Sequence, residues 1–225
     1  MKTNFLCLAN SRKYYQRCIA GIEANIERGG ALNFVFENGE PKWIRPVYGS
    51  DYGQVPLDLV QEYNLLDLIE IEITETCPDG YKRENVRFNT NSLKKISSIA
   101  NNKGLVEILD SLLNTADSNL FGNRWEKIWH SVIDDVRKSL IFIKPGNVEI
   151  AKSNTKTKRG TPQLRAKFDF NQNSYDLPIT DAAFENSFMD NINLTRNMNN
   201  IYFTISLAEE WHKAHYKLIA GVVYF

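Results

Sequence analysis

Trp43 and Arg45 stand two residues apart in the segment Trp43-Ile-Arg-Pro-Val47. On an extended strand that spacing sends both side chains to one face. An indole beside a guanidinium can stack a base and grip its phosphate. Upstream, Asn10, Ser11, Arg12 and Lys13 follow the apolar run Phe5–Ala9 and precede Arg17-Cys-Ile-Ala-Gly-Ile-Glu23. Read as a polar turn, they offer an amide, a hydroxyl and two cations to a single anion, with Arg17 on the next strand. Downstream, Glu84 and Asn85 lie between Arg83 and Arg87. The Asn can read a base edge, and Glu84 can instead hold Arg12 or Arg45 in a structural ion pair. From Ala151 to Phe168 there are six cations and no acid. This stretch reads as a loop between strands whose Lys156, Lys158 and Arg159 can supply further phosphate contacts; the plain alternative is a solvated hairpin tip.

The residue patterns of catalysis are missing beside this surface. His212-Lys-Ala-His215 invites a metal reading, but no third ligand stands at motif spacing, so no metal site is expected. Three histidines, no Gly-x-Ser-x-Gly and no Gly-rich phosphate loop argue against a nucleophilic triad or a nucleotide-binding loop. No cofactor is expected. Thr180-Asp181 reads as a helix N-cap, and Trp125 and Trp129, four apart, read as core residues.

Composition narrows the partners. The 225 residues carry 27 Lys and Arg against 27 Asp and Glu. A protein that coats nucleic acid by charge alone should be basic overall, so this one has to use local patches or specific pockets. The three cysteines, Cys7, Cys18 and Cys77, are odd in number and widely spaced, as suits reduced thiols in a cytosolic protein. The first residues lack the apolar run of a signal peptide, and no stretch approaches the length needed to span a bilayer. A cytoplasmic protein with no membrane partner is expected.

The first ninety positions alternate at period two between sharp turns. Strands are expected at Phe5–Ala9, Arg17–Glu23, Asn33–Glu37, Trp43–Val47 and Leu65–Ile73, with Tyr81–Phe88 closing a small barrel. Apolar residues then recur at helical spacing: Leu93, Ile96 and Ile99; Leu105, Ile108, Leu109 and Leu112; Trp125, Ile128, Trp129 and Val132. Strand patterns return after Ser139 and run to the end. The expectation is a mainly β, α+β fold: a barrel over 1–90, a helical connector over 91–138 and a second barrel over 139–225. Two short echoes, Trp43-Ile-Arg-Pro46 with Phe142-Ile-Lys-Pro145 and Cys18-Ile-Ala-Gly21 with Leu218-Ile-Ala-Gly221, hint at related units.

Taken together, Leu6-Cys-Leu-Ala-Asn-Ser-Arg-Lys13, Trp43-Ile-Arg-Pro-Val47, Leu66-Asp-Leu-Ile-Glu-Ile71 and Arg83-Glu-Asn85 resemble the opening of the bacterial dual OB domain-containing proteins. Ser139-Leu-Ile-Phe-Ile-Lys-Pro-Gly-Asn-Val148, Tyr175-Asp-Leu-Pro-Ile-Thr-Asp181 and Tyr216-Lys-Leu-Ile-Ala-Gly221 continue the likeness over nearly the whole chain. The resemblance implies two OB-like β-barrels and a nucleic-acid-binding role, in bacterial defence or nucleic-acid modification. The function expected is non-catalytic binding of single-stranded nucleic acid or a nucleotide. An enzyme acting on such a ligand around Asn10, Arg45, Glu84 and Asn85 is the alternative, and an adaptor with a protein partner is a further one.

Overall fold

The computed structural model describes residues 1–13, 15–49, 53–156, 160, 162–190 and 200–225. The chain opens with β1 (Lys2–Lys13), β2 (Gln16–Ile26), three short strands β3 (Leu32–Phe34), β4 (Phe36–Glu37) and β5 (Glu40–Pro41), and β6 (Trp43–Val47). A single helical turn, α1 (Leu57–Val60), leads to β7 (Asp67–Thr76) and β8 (Asn85–Phe88). Strand β1 pairs with β2, β2 with β6, β6 in parallel with β8, β8 with β7, and β7 returns to β1. Within this set of five each strand pairs with two of the others, so the pairings form a ring.

The middle of the chain holds β9 (Lys94–Ser98), α2 (Leu105–Ser111) and β10 (Lys127–Trp129). The last third contains β11 (Leu140–Ile143), β12 (Gly146–Lys156), β13 (Pro162–Phe170), β14 (Asn173–Pro178), α3 (Ala182–Asp190), β15 (Ile201–Trp211) and β16 (Ala214–Tyr224). Here β12 pairs with β13, β13 with β14, β15 with β16, and β15 with β11. A parallel bridge between Ile179 and Ile219 ties the end of β14 to β16. Strands β11 and β12 are separated only by Lys144 and Pro145. The two units thus share one wiring, each with a helix between its third and fourth principal strands.

Strands with continuous apolar runs are buried on both faces. In β1, Phe5 and Cys7 point into the first unit's interior with Ile19, Ile44, Ile69 and Val86, while Leu6 and Leu8 point out into a second cluster. In β11, Ile141 and Ile143 enter the second unit's interior with Phe168 and Phe203, while Phe142 joins Leu6 and Leu8. Side chains alternate, yet neither face reaches water, which explains why the sequence shows a run and no alternation. Leu105, Leu109 and Leu112 of α2 and its C-terminal end complete the shared cluster. Each fully buried Leu or Phe stabilises by about 1.5–3 kcal/mol, so the two units are held as one packed body.

Gly221 and Gly21 make that packing possible. A Cβ on Gly221 would lie 2.1 Å from the Leu8 carbonyl oxygen, and one on Gly21 would lie 1.9 Å from that of Leu6. The Cys18–Gly21 and Leu218–Gly221 echo therefore marks two strands that approach β1, and the two strands occupy different places in their units. It does not record equivalent positions.

The expected helical connector is not what forms. Leu93 precedes the edge strand β9, whose residues are exposed and pair with β7. Lys127–Trp129 is a strand on β16, followed by a 3-10 turn over His130–Asp135. Only α2 keeps its helix. Phe121 at φ 51° and Gly122 at φ 83° break the chain ahead of Trp125, so its apolar spacing never becomes a helical face. Trp125 and Trp129, expected in the core, are 61% and 52% exposed. Asn10–Lys13, expected as a turn, are the last residues of β1, with Arg12 opposite Arg17 and Lys13 opposite Gln16.

Candidate functional site

The ends of β1 and β2, strand β6 and the connection from β7 to β8 enclose a cleft of about 360 Å³. Its lining includes Lys13, Cys18, Arg45, Lys82, Asn85 and Arg87. Among the described residues, four cations (Lys13, Arg45, Lys82 and Arg87) face two carboxylates, Asp79 and Glu209. A neighbouring cleft of about 370 Å³ shares Lys13, Cys18, Arg45 and Glu209 and extends past Ser11 and Arg12 to Trp211. Trp211 is 61% exposed at the tip of the β15–β16 hairpin, with His212 at 4.3 Å and Tyr216 at 5.8 Å between ring centroids. His212 and Lys213, at φ 50° and 58°, make the tight turn that presents it.

Glu209 is the hinge of the electrostatics. It accepts from Lys13 Nζ at 2.9 Å and pairs still more closely with Lys82. Burial works against its charge, but hydrogen bonds from Lys82 and Lys13 outweigh it and hold the pKa below the ordinary glutamate value. Lys82 also lies 3.8 Å from Asp79, and Arg87 pairs with Glu75 at 3.5 Å, so these acids offset part of the positive charge of the cluster. Burial pushes the Cys18 thiol up, so it lines the cleft as a neutral group.

Trp43 and Arg45 do share a face, but the second unit covers it. The half-buried Trp43 packs against Ala9, Ala20, Leu140 and Ala220. Arg45, 8% exposed, donates through Nε to Asn85 Oδ1 at 2.8 Å and through Nη2 to Ser139 Oγ at 2.7 Å, and pairs with Glu84. Ser139 in turn donates to Glu84. The expectation of an outward-facing Trp–Arg platform is thus corrected: the pair anchors the junction of the units, and Glu84 takes the structural ion-pair role. Alternation fixes which side chains share a face; it does not say what lies over it.

The remaining expected residues divide. Arg12 donates to Glu185 at 2.7 Å, Asn186 Oδ1 at 2.6 Å and the Ala182 carbonyl at 3.2 Å, stapling β1 to α3. Ser11 is buried, and its backbone bridges to Asp181. Asn10 donates to the Tyr63 carbonyl at 2.8 Å. Arg17 bridges through its backbone to Val55. Lys156 ends β12, while Lys158 and Arg159 lie outside the described residues. Beside that segment, Lys152, Arg165 and Lys167 line a cleft of about 540 Å³, where Arg165 pairs with Asp176 at 2.7 Å and Glu126 at 3.3 Å. Asp181 caps α3 through hydrogen bonds from the Ala183 and Phe184 amides at 3.0 and 3.1 Å.

Sequence reasoning missed three groups. Lys82 reaches Glu209 from a connection with no motif, and Trp211 gave no signal beyond its type. His215, set aside with His212, meets His130 and Glu210, three ligand-bearing side chains whose donor atoms lie within 4.8 Å of one another. His130 and His215 are eighty-five residues apart, a separation no local spacing could show.

The class follows from this wiring, two units of the same strand order. A family model described as the dual OB-containing domain matches residues 3–222, and the chain belongs to that family. No curated protein matches the chain significantly. A solved structure titled "Molecular basis for abrogation of activation of pro-inflammatory cytokines" is 12% identical, with a TM-score of 0.33, over 100% of this chain and 92% of that one. That likeness is too slight to carry an argument.

Proposed function

We propose that this dual OB protein binds single-stranded nucleic acid or a nucleotide along the paired clefts, without acting on it. OB modules hold oligonucleotides on the face of their second and third strands and on the loops joining strands one to two and four to five. In the first unit β2, β6, the end of β1 at Lys13 and the β7–β8 connection all contribute to the lining of the cationic cleft. The ring of strand pairings in the first unit and the same strand order in the second support reading each unit as a barrel of this type. The observation that carries the proposal is Trp211, an exposed indole at the rim of a cleft that also holds Lys13 and Arg12. It supplies the stacking surface that Trp43 does not.

The enzyme alternative needs Asn10, Arg45, Glu84 and Asn85 in one concavity with a carboxylate of raised pKa. Arg45 and Asn85 line the cationic cleft, Glu84 faces a different one, and Asn10 turns to Tyr63. The grouping favours binding.

Fluorescence anisotropy with a labelled single-stranded oligonucleotide tests the reading. If Lys13, Lys82 and Arg87 neutralise about three phosphates, affinity falls about 20-fold between about 50 and about 200 mM salt. Trp211→Ala loses about 1–3 kcal/mol of stacking. Glu209→Gln removes the acid between two lysines and tightens binding. No binding at low salt, or a Glu209→Gln variant that binds more weakly while remaining folded, would sink the proposal.

A further inference from the structure

We infer that His130, Glu210 and His215 form a binding site for a divalent transition metal of the zinc class. The ligands come from strands β15 and β16 and from the residue that follows β10. His215 stands opposite Glu210 across the β15–β16 pairing and opposite Ile128 across the β10–β16 pairing, and His130 follows β10 with its amide bonded to the Lys213 carbonyl at 2.9 Å. The backbone therefore sets the geometry before any ion arrives.

The surrounding groups favour one tautomer of His215. His215 Nδ1 lies 3.2 Å from the Ala208 carbonyl, which can only accept, and 2.9 Å from the Tyr81 hydroxyl, which itself donates to Ala208 at 2.8 Å. With the Tyr81 proton given to Ala208, Nδ1 carries the imidazole proton and Nε2 presents a lone pair. That lone pair faces His130 Nδ1 at 3.3 Å, and the same His130 nitrogen lies 3.0 Å from Glu210 Oε2. A single proton on His130 Nδ1 can serve only one of these two acceptors. A cation serves all three.

Two of the separations suit the ion, 3.3 Å from His130 Nδ1 to His215 Nε2 and 3.0 Å from His130 Nδ1 to Glu210 Oε2. Tetrahedral zinc with bonds of about 2.0–2.1 Å to nitrogen places neighbouring ligand atoms about 3.3 Å apart. Two imidazoles and a carboxylate make a donor set that zinc favours over calcium or magnesium, which prefer all-oxygen shells. Tyr81 and the Ala208 carbonyl orient His215 as outer-shell partners orient metal-bound imidazoles elsewhere. His130 and Glu210 are exposed, so a fourth position remains for water or a ligand oxygen.

The untagged 225-residue chain, stripped with chelator, is titrated with Zn²⁺ by calorimetry and with Co²⁺ by visible absorption. One equivalent should bind at micromolar affinity or tighter, with the intense cobalt bands of four- or five-coordination. His130→Ala and Glu210→Gln, both at exposed side chains, should each weaken binding by at least about 10-fold, the size of loss seen even for outer-shell partners. His212→Ala, at the hairpin turn outside the triad, should leave it unchanged. Wild-type binding no tighter than that of His130→Ala, an octahedral cobalt spectrum, or an equal loss in His212→Ala would each overturn the site.

Discussion

Arg45 illustrates how a single residue's role depends on what covers it. Its guanidinium reaches Glu84, Asn85 and Ser139, linking strands of the first unit to the start of the second. Arg45→Ala leaves Glu84 buried without its cation, so about 3–5 kcal/mol of stability should be lost in urea unfolding. A loss below about 1 kcal/mol would return Arg45 to a ligand role. Lys217 gives a second test at this scale. Its side chain is buried and donates to the carbonyl and side-chain oxygens of Asn123, both at 2.8 Å, with no acid supplied by those bonds. Burial lowers its pKa to about 7. Between about pH 7 and about 10.4 the unfolded chain holds a proton there that the folded chain has shed. Stability therefore rises with pH across that window, by up to about 1.4 kcal/mol per unit for the one proton, and is flat in this term below it. Lys217→Met should remove that rise when urea midpoints are compared at about pH 7.5 and about pH 9.5.

At the scale of elements, the close approach of β16 to β1 decides how the units meet. Thr204 donates to the Leu8 carbonyl at 2.5 Å, and Gly221 leaves room beside the same oxygen. Gly221→Ala should cost about 1–3 kcal/mol or more, because the obstructing atom is backbone and cannot swing aside. Gly146→Ala, whose new methyl would meet nothing nearer than 3.9 Å, should change stability by less than about 0.5 kcal/mol. Equal effects would show that the β1–β16 contact is looser than described. Much of the element pattern was legible in the residues: strands at Trp43–Val47, after Ser139 and through the chain's last residues follow from apolar runs and turn signals. The connector was not legible, because Leu93, Ile96 and Ile99 satisfy helical spacing while β7 offers an open edge. Tertiary pairing outweighed the local period.

For the whole molecule, the shared cluster is the governing fact. Leu6, Leu8 and Ile22 from one unit pack with Phe142, Tyr202 and Val223 from the other, and α2 seals them. Neither unit keeps its core covered alone. The chain should unfold in one transition, with tryptophan fluorescence and far-ultraviolet circular dichroism giving coincident midpoints. Two separated steps would show that the units are energetically independent. The same packing places the β15–β16 hairpin of the second unit against the cationic cleft of the first, so that Glu209, Glu210 and Trp211 border residues nearly two hundred positions earlier.

By themselves, the residues determined the β-rich character, the two-unit plan and the family, because strand periodicity, turn chemistry and motif likeness are local properties of the chain. They also marked Lys13 and Asn85, which do line the cationic cleft. Only tertiary structure decided which face of β6 would be covered, that Trp211 would take the exposed position, and that His130 would meet His215. Those outcomes depend on contacts between segments far apart in sequence, and period and spacing carry no record of them.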